Sequence, residues 1–128
     1  MRRILLPALT ALALFSAGVV VVEGDDPPFN MAFPDARRLS QGGGQNLRPA
    51  WSPDGARLAF QSTGDRTGTY HIWVVNADGT GLRQVTSGEG DQRRPAWSPD
   101  GSQIAFDWTA PEGRDIWTVR PDGSDLVR

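Results

Sequence analysis

The chain has 128 residues, of which 38% are hydrophobic, and its formal net charge is −2 at pH 7. This length accommodates one ordinary domain, and the scattered, nearly balanced charges exclude the basic surface of a nucleic-acid-binding protein. Because the sequence has no cysteine, a disulfide framework and a lipid-modified N-terminal cysteine are excluded as well.

Residues 1–24 form an apolar leader. Arg2 and Arg3 precede an uncharged run from Ile4 to Val22. A basic start followed by an apolar stretch is typical of a secretory signal peptide, and the run is also long enough to remain as a membrane anchor helix. A buried soluble helix is the third interpretation. The first two predict a periplasmic or extracellular protein, anchored to the inner membrane if the leader is retained.

Residues 25–36 are rich in proline and acidic side chains, so we expect them to form a linker. The next residues, 37–41, begin with the sequence RRLS, which aligns with RQVT at 83–86. We therefore expect residues 37–41 to form an outer strand like the one predicted at 82–86.

The remainder of the chain contains an internal repeat. The sequence RPAWSPDGARLAF at 48–60 returns as RPAWSPDGSQIAF at 94–106, with an offset of 97 − 51 = 46. Further on, HIWVVNADGTGL at 71–82 returns as DIWTVRPDGSDL at 115–126, with an offset of 115 − 71 = 44. A repeat of this length cannot bury its apolar face alone, so neighbouring repeats must stack.

Each repeat predicts short antiparallel strands. The first strand ends at Trp51 or Trp97 and leads into an SPDG turn, where proline fixes φ and glycine adopts a left-handed conformation. Alternating apolar residues predict the second and third strands, and an Asp-Gly hairpin signal follows the third. The predicted strands after the turn are 56–61, 71–75 and 82–86 in the first repeat and 102–107, 115–119 and 125–128 in the second.

Four short strands in each repeat of about 40–45 residues are the signature of a β-propeller blade. The predicted fold is therefore all-β, with two four-stranded antiparallel blades forming a partial propeller behind an N-terminal hydrophobic helix. The first blade is predicted at residues 47–87. The second, at 93–128, is expected to lack most of its fourth strand.

The pattern WSPDG-x-x-[LI]-A-F, followed by I-W and by DG-[TS], resembles the TolB-type, WD-like propeller repeat over residues 37–128. The resemblance implies a bacterial envelope protein and a ring of about six blades. Two blades cannot close a ring and would leave edges and apolar surface uncovered. Three alternatives follow: a fragment of a longer propeller, a homo-oligomer whose copies close one ring, or an open sandwich.

Residues that recur in both repeats are expected to build the fold. The four recurring tryptophans are predicted to pack between sheets, and the recurring aspartates to stabilise turns. These structural residues are Trp51, Pro53, Asp54, Gly55, Phe60, Trp73, Asp78, Gly79, Trp97, Pro99, Asp100, Gly101, Phe106, Trp117, Asp122 and Gly123.

Unrepeated residues in loops are where binding specificity is expected. Trp108 has no counterpart in the first repeat and lies beside a Pro-Gly segment, so it is the aromatic residue most expected to contact a ligand. The candidate binding loop residues are Arg66, Tyr70, Trp108 and Arg114.

The sequence predicts no catalytic, metal or cofactor site. His71 is the only histidine, and no G-x-S-x-G nucleophile motif occurs. The prediction is thus a non-enzymatic envelope module that binds a protein, peptide or glycan, and no nucleic acid. The alternative is the N-terminal propeller of a serine peptidase resembling prolyl oligopeptidase.

Overall fold

Strands and tight turns make up the part of the chain that the computed structural model describes, residues 37–40, 44–64 and 68–128. The predicted leader (1–24) and linker (25–36) lie outside it. No helix in the described ranges is long and apolar enough to cross a membrane. The strands are β1 (Asn46–Trp51), β2 (Arg57–Ser62), β3 (His71–Asn76), β4 (Arg83–Gln84), β5 (Asp91–Trp97), β6 (Ile104–Ala110) and β7 (Gly113–Val119).

The strands form two antiparallel sheets, one for each repeat. The first sheet has the order β1-β2-β3-β4 and the second the order β5-β6-β7. A single bridge between Thr118 and Val127 stands where the fourth strand of the second sheet would begin. The predicted all-β fold with two sheets, the second incomplete, is therefore confirmed for the described residues.

A β-bulge recurs at the same point of both repeats. The register between β1 and β2 shifts between Leu47 and Ala50, and the register between β5 and β6 shifts between Arg93 and Ala96. At the bulges Arg48 and Arg94 adopt positive φ angles of 55° and 56°. A bulge bends the strand and redirects the side chains that follow it, so both sheets have the same local bend before their tryptophan.

The two sheets pack face to face through one apolar cluster. The first sheet contributes Ala59 from β2 and Ile72 and Val74 from β3. Their side chains lie on the same face of the sheet. The second sheet contributes Ile104, Phe106 and Val119, and Val85, which follows β4, packs on their edge. Burial of these side chains holds the two repeats together, because neither repeat encloses a core by itself.

A second cluster covers the opposite face of the first sheet, where Leu39 packs on Leu58, Phe60 and Val75. Residues 37–40 are not part of a strand in the described structure, and residue 41 lies outside it, so the outer strand at 37–41 stays a prediction. The segment is held instead by the burial of Leu39 and by a hydrogen bond from Arg37 to the carbonyl of Ala77. Leu39 thus covers the first sheet as Val85 covers the second.

Candidate functional site

The aspartates of the SPDG turns bind the turns' own polar groups. Asp54 Oδ1 accepts hydrogen bonds from the hydroxyl of Ser52 and the backbone N–H of Ala56. Asp100 Oδ1 accepts from the hydroxyl and backbone N–H of Ser102 as well as from the hydroxyl of Ser98. These donors lower the pKa of Asp100 to about 2 and that of Asp54 below its usual range.

The Asp-Gly hairpins repeat this arrangement. Asp78 Oδ1 accepts hydrogen bonds from the hydroxyl and the backbone N–H of Thr80. Asp122 Oδ1 accepts hydrogen bonds from the same two groups of Ser124. The hydroxyl donor is the main cause of the lowered pKa of each carboxyl. All four carboxylates are occupied by turn donors, which leaves them unsuited to general-base chemistry.

The recurring tryptophans do not share one environment. Trp97 packs against the cluster between the sheets, and its indole Nε1–H donates to the carbonyl of Ala50 at 2.9 Å. Trp51 lies at the same position of the first repeat but is 41% exposed. The expected packing between sheets is therefore wrong for Trp51, because that side of the first sheet has no neighbouring sheet among the described residues. Trp73 packs on the cluster around Leu39 and Trp117 on the cluster between the sheets.

The predicted binding loop does not form as expected. Trp108 lies within β6 rather than in a loop, its ring centroid is 5.0 Å from that of Trp117, and its indole donates to the carbonyl of Glu89. Tyr70 is buried and donates its hydroxyl to Gln45 Oε1. Arg114 is exposed on β7, whereas Arg66 lies outside the described residues. These side chains do not converge on one site.

His71 of the first sheet contacts Gln92 of the second sheet. Its Nδ1 lies 2.7 Å from Gln92 Oε1, across the boundary between the two sheets. No group of three His, Cys, Asp or Glu side chains in the described part of the chain could hold a metal ion. His71 therefore has a neighbour that explains its position without catalysis.

A concave surface lies on the second sheet, on the side turned away from the first. We call it the open face; it surrounds a depression of about 560 Å³. Ile116 is its apolar centre and is 66% exposed. The lining residues are Arg94, Ala96, Ala105, Phe106, Asp107, Arg114, Asp115 and Ile116.

Charged side chains fix the rim of the open face. Asp107 is buried, and its Oδ2 accepts two hydrogen bonds from the guanidinium of Arg114, at 3.1 Å and 2.8 Å. Arg94 Nε lies 3.8 Å from the other carboxylate oxygen. Asp115 pairs with Arg128 at 2.7 Å. The face therefore combines an apolar centre with oriented charges, a combination suited to binding another polypeptide.

The residues of the open face have counterparts in the first repeat. Subtracting 46 from positions 94–107 and 44 from positions 114–116 gives Arg48, Ala50, Ala59, Phe60, Gln61, Tyr70, His71 and Ile72. Ile72, the counterpart of Ile116, is fully buried between the sheets. The open face of the second sheet is thus equivalent to the surface of the first sheet that the second sheet covers.

Our sequence prediction missed Asp107, Arg94 and Ile116. A signal existed, since Ile116 aligns with Ile72 and a repeat buries its apolar face only against a neighbouring repeat. The predicted binding residues are mostly unrepeated ones, whereas Ile116 is a repeated residue that lies in a different environment from its counterpart Ile72.

Two antiparallel sheets with the same strand order and the same turn motif, stacked face to face, are blades of a β-propeller. The chain belongs to the TolB β-propeller domain family, whose profile matches residues 30–128. No curated protein sequence matches the chain significantly.

Solved structures share this fold. A protein from Agrobacterium tumefaciens described as a TolB is 34% identical and matches 66% of this chain and 31% of its own with a TM-score of 0.57. TolB from Acinetobacter baumannii is 24% identical over 70% of this chain and 22% of its own, with a TM-score of 0.56. The tricorn protease is 24% identical over 70% of this chain and 8% of its own, with a TM-score of 0.51.

The chain therefore spans less than a third of each of these three proteins. At 24% identity, the second and third likenesses concern the fold alone.

Proposed function

We propose that this chain is a non-enzymatic β-propeller module of the bacterial envelope that binds a polypeptide partner through the open face of its second sheet. The observation that carries the proposal is the exposure of Ile116 at the centre of a strand, inside a depression with charged residues at its rim. Membership of the TolB propeller family and the apolar leader at residues 1–24 support the envelope location.

The composition of the open face supports a protein ligand over a small molecule. A small-molecule site is concave and encloses most of its ligand, whereas this depression is partly open to solvent and lies along a sheet surface. Protein interfaces combine an apolar centre with a polar rim in which arginine is enriched. Ile116 provides the centre, and Arg94 and Arg114 provide the rim.

The absence of catalytic chemistry is part of the proposal. Among the described residues, the turn aspartates are engaged by hydroxyl and backbone donors, and His71 faces Gln92. The alternative, in which this propeller belongs to a serine peptidase, remains a prediction. It requires catalytic residues that are not part of this sequence.

A photo-crosslinking experiment tests the proposal. A benzophenone amino acid is introduced at position 116 of the full chain in the cells that produce it, and at position 84 as the control. Gln84 is exposed on β4, away from the open face. We expect protein adducts from position 116 and none at the same level from position 84, detected by mass spectrometry. Equal or absent adducts at both positions would overturn the proposal.

A further inference from the structure

We infer that the four Asp-Gly pairs of this chain are sites of spontaneous isoaspartate formation, and that the turns around them suppress the reaction as long as the chain is folded. The inference goes beyond the proposed function and does not depend on the open face. Two of the pairs lie in the SPDG turns and two in the turns after β3 and β7, at residues 54–55, 100–101, 78–79 and 122–123.

The reaction needs only the chain and water. The amide nitrogen of glycine attacks Cγ of the preceding aspartic acid in its protonated form, and glycine permits this close approach because it has no Cβ. The new C–N bond replaces a C–O bond, and the carboxyl OH leaves as water together with the amide proton. Water then reopens the succinimide ring at either carbonyl and yields aspartate or isoaspartate. The composition is unchanged, but the backbone of isoaspartate is one carbon longer.

The attacking nitrogen is engaged in all four turns. Each glycine N–H donates to the backbone carbonyl three residues earlier, which closes a β-turn. The acceptors are Ser52 for Gly55 at 2.8 Å, Asn76 for Gly79 at 2.8 Å, Ser98 for Gly101 at 2.9 Å and Arg120 for Gly123 at 2.8 Å. The succinimide nitrogen carries no hydrogen, so the reaction requires each turn to give up this bond.

The carboxyl group under attack is engaged as well. In each turn its Oδ1 accepts from the backbone N–H of the residue after the glycine, at 2.9–3.0 Å, and from at least one hydroxyl. Such hydrogen bonds stabilise the carboxylate, whereas the protonated carboxyl is the form that reacts. The succinimide has no carboxylate, so these bonds are lost together with the bond of the glycine.

Asp100 is the aspartate with the strongest set of donors. Its carboxylate accepts from the hydroxyls of Ser98 and Ser102. Its pKa of about 2, against an ordinary value of 3.8, reduces the reactive protonated fraction at neutral pH about tenfold or more. Asp54 has one hydroxyl donor fewer, because Ala56 stands where Ser102 stands in the second repeat. We therefore expect Asp100 to be modified more slowly than Asp54 in the folded chain.

Modification of a turn affects the strands that it connects. The turn at Asp54 joins β1 to β2, and its ends are held by a hydrogen bond from the N–H of Ser52 to the carbonyl of Arg57 at 2.9 Å. An additional backbone carbon between aspartate and glycine changes the spacing on which this bond and the glycine bond both depend. Isoaspartate formed in an unfolded molecule therefore hinders its return to this turn.

The test compares the purified full chain in its folded and unfolded states. Both samples are kept at neutral pH and the same temperature, one in buffer and one in a urea concentration that unfolds the chain. Digestion followed by electron-transfer mass spectrometry measures the isoaspartate formed at each aspartate over time. In urea we expect similar rates at all four pairs, since each aspartate precedes a glycine. In buffer each rate should be about tenfold or more lower, since the reaction there breaks hydrogen bonds of a charged group.

Two variants separate the effect of the turn hydrogen bonds from the general rigidity of the folded chain. Ser102→Ala should accelerate the reaction at Asp100 in buffer about threefold or more, and Ala56→Ser should slow the reaction at Asp54. The aspartates of the other two turns are internal controls whose rates should not change. Neither variant should alter a rate in urea, because the turn is absent there. Circular dichroism melts verify that each variant is folded.

Rates in buffer that stay within tenfold of the rates in urea would overturn the inference, because the turns would then not provide this protection. An unchanged rate at Asp100 in folded Ser102→Ala would overturn it as well, since the fold would then act through something other than the donors of the carboxylate. Neither measurement involves the open face, so failure of this inference leaves the proposed function as it stands.

Discussion

The indole Nε1–H of Trp97 donates a hydrogen bond to the carbonyl of Ala50, joining the second repeat to the first at 2.9 Å. The guanidinium of Arg57 lies over the same ring, 4.8 Å from its centroid. One tryptophan of the repeated motif thus joins two sheets through a hydrogen bond, a cation–π contact and apolar packing. Its counterpart Trp51 remains at the surface because no sheet covers that side among the described residues.

Replacement of the two tryptophans should therefore have unequal effects. Trp97→Ala is expected to lower the free energy of unfolding by about 3 kcal/mol, since a packed aromatic side chain is lost from the boundary. Trp51→Ala should cost about 1 kcal/mol or less. Urea unfolding followed by circular dichroism measures both changes in the free energy of unfolding. Equal losses would contradict the different burial of the two rings.

The second prediction concerns Gly90, which lies close to the backbone of β6. A Cβ atom at Gly90 would lie 2.0 Å from the carbonyl oxygen of Thr109, and Gly90 has a φ of +85°. Gly55 also has a positive φ, +69°, but a Cβ atom there would meet nothing within 4 Å. Both alanine substitutions carry the left-handed backbone cost of about 1–2 kcal/mol, so their difference reports the clash alone.

We expect Gly90→Ala to lower the free energy of unfolding by about 2 kcal/mol more than Gly55→Ala does, the usual cost of forcing an atom into packed structure. Thermal unfolding of the two variants and the unaltered chain provides the comparison. Similar melting temperatures for the two variants would show that β6 can move away from residue 90 without cost.

The sequence was sufficient to predict the fold because the repeat supplies the same information twice. The SPDG turns, the alternation of Leu58 with Phe60 and of Ile104 with Phe106, and the Asp-Gly hairpins each follow from local conformational preference. The strand ends were less accurate. β6 continues to Ala110, past the predicted end at 107, because β7 begins at Gly113 and pairs with its whole length.

The candidate site could not be predicted in the same way. Ile72 and Ile116 are the same residue type at the same repeat position, and only the stacking of sheets makes one buried and the other exposed. Trp108 shows the reverse case: it is unrepeated in sequence, yet it packs against Trp117 inside the structure. Exposure is a tertiary property, and local sequence patterns do not encode it.

A buried amide at the boundary between the sheets leads to the third prediction. Gln92 is fully buried, and its Oε1 accepts from the hydroxyl of Thr86 at 2.7 Å and lies 2.7 Å from His71 Nδ1. Its Nε2 donates to the carbonyl of Ser87 at 3.1 Å. Gln92→Leu retains the volume but leaves these groups without a partner, which should cost about 1–3 kcal/mol.

The control for this substitution is Gln84→Leu, at an exposed position on β4, where we expect a change within about 0.5 kcal/mol. Urea unfolding of both variants measures the difference. An unchanged stability of Gln92→Leu would mean that water replaces the amide at the boundary, and that the hydrogen bonds of Gln92 do not hold the sheets together.

One difference between the two SPDG turns is a hydroxyl, and this difference should have a measurable effect on the pKa of the turn aspartate. Asp100 accepts from the hydroxyls of Ser98 and Ser102, which contribute to lowering its pKa to about 2. In the first repeat Ala56 stands where Ser102 stands in the second, so Asp54 has one hydroxyl donor fewer. The pKa of Asp54 is lowered mainly by its hydrogen bond to Ser52.

Ser102→Ala should therefore raise the pKa of Asp100, while the pKa of Asp54 stays unchanged as an internal control. Titration of the carboxyl carbons by NMR measures both groups in one sample. The folded-state pKa of Asp100 lies below its ordinary value of 3.8, so its contribution to stability is complete above pH 3.8 and is lost as the pH falls towards about 2. Ser102→Ala should move this loss to higher pH. An unchanged Asp100 titration would show that the Ser102 hydroxyl does not bind the carboxylate in solution.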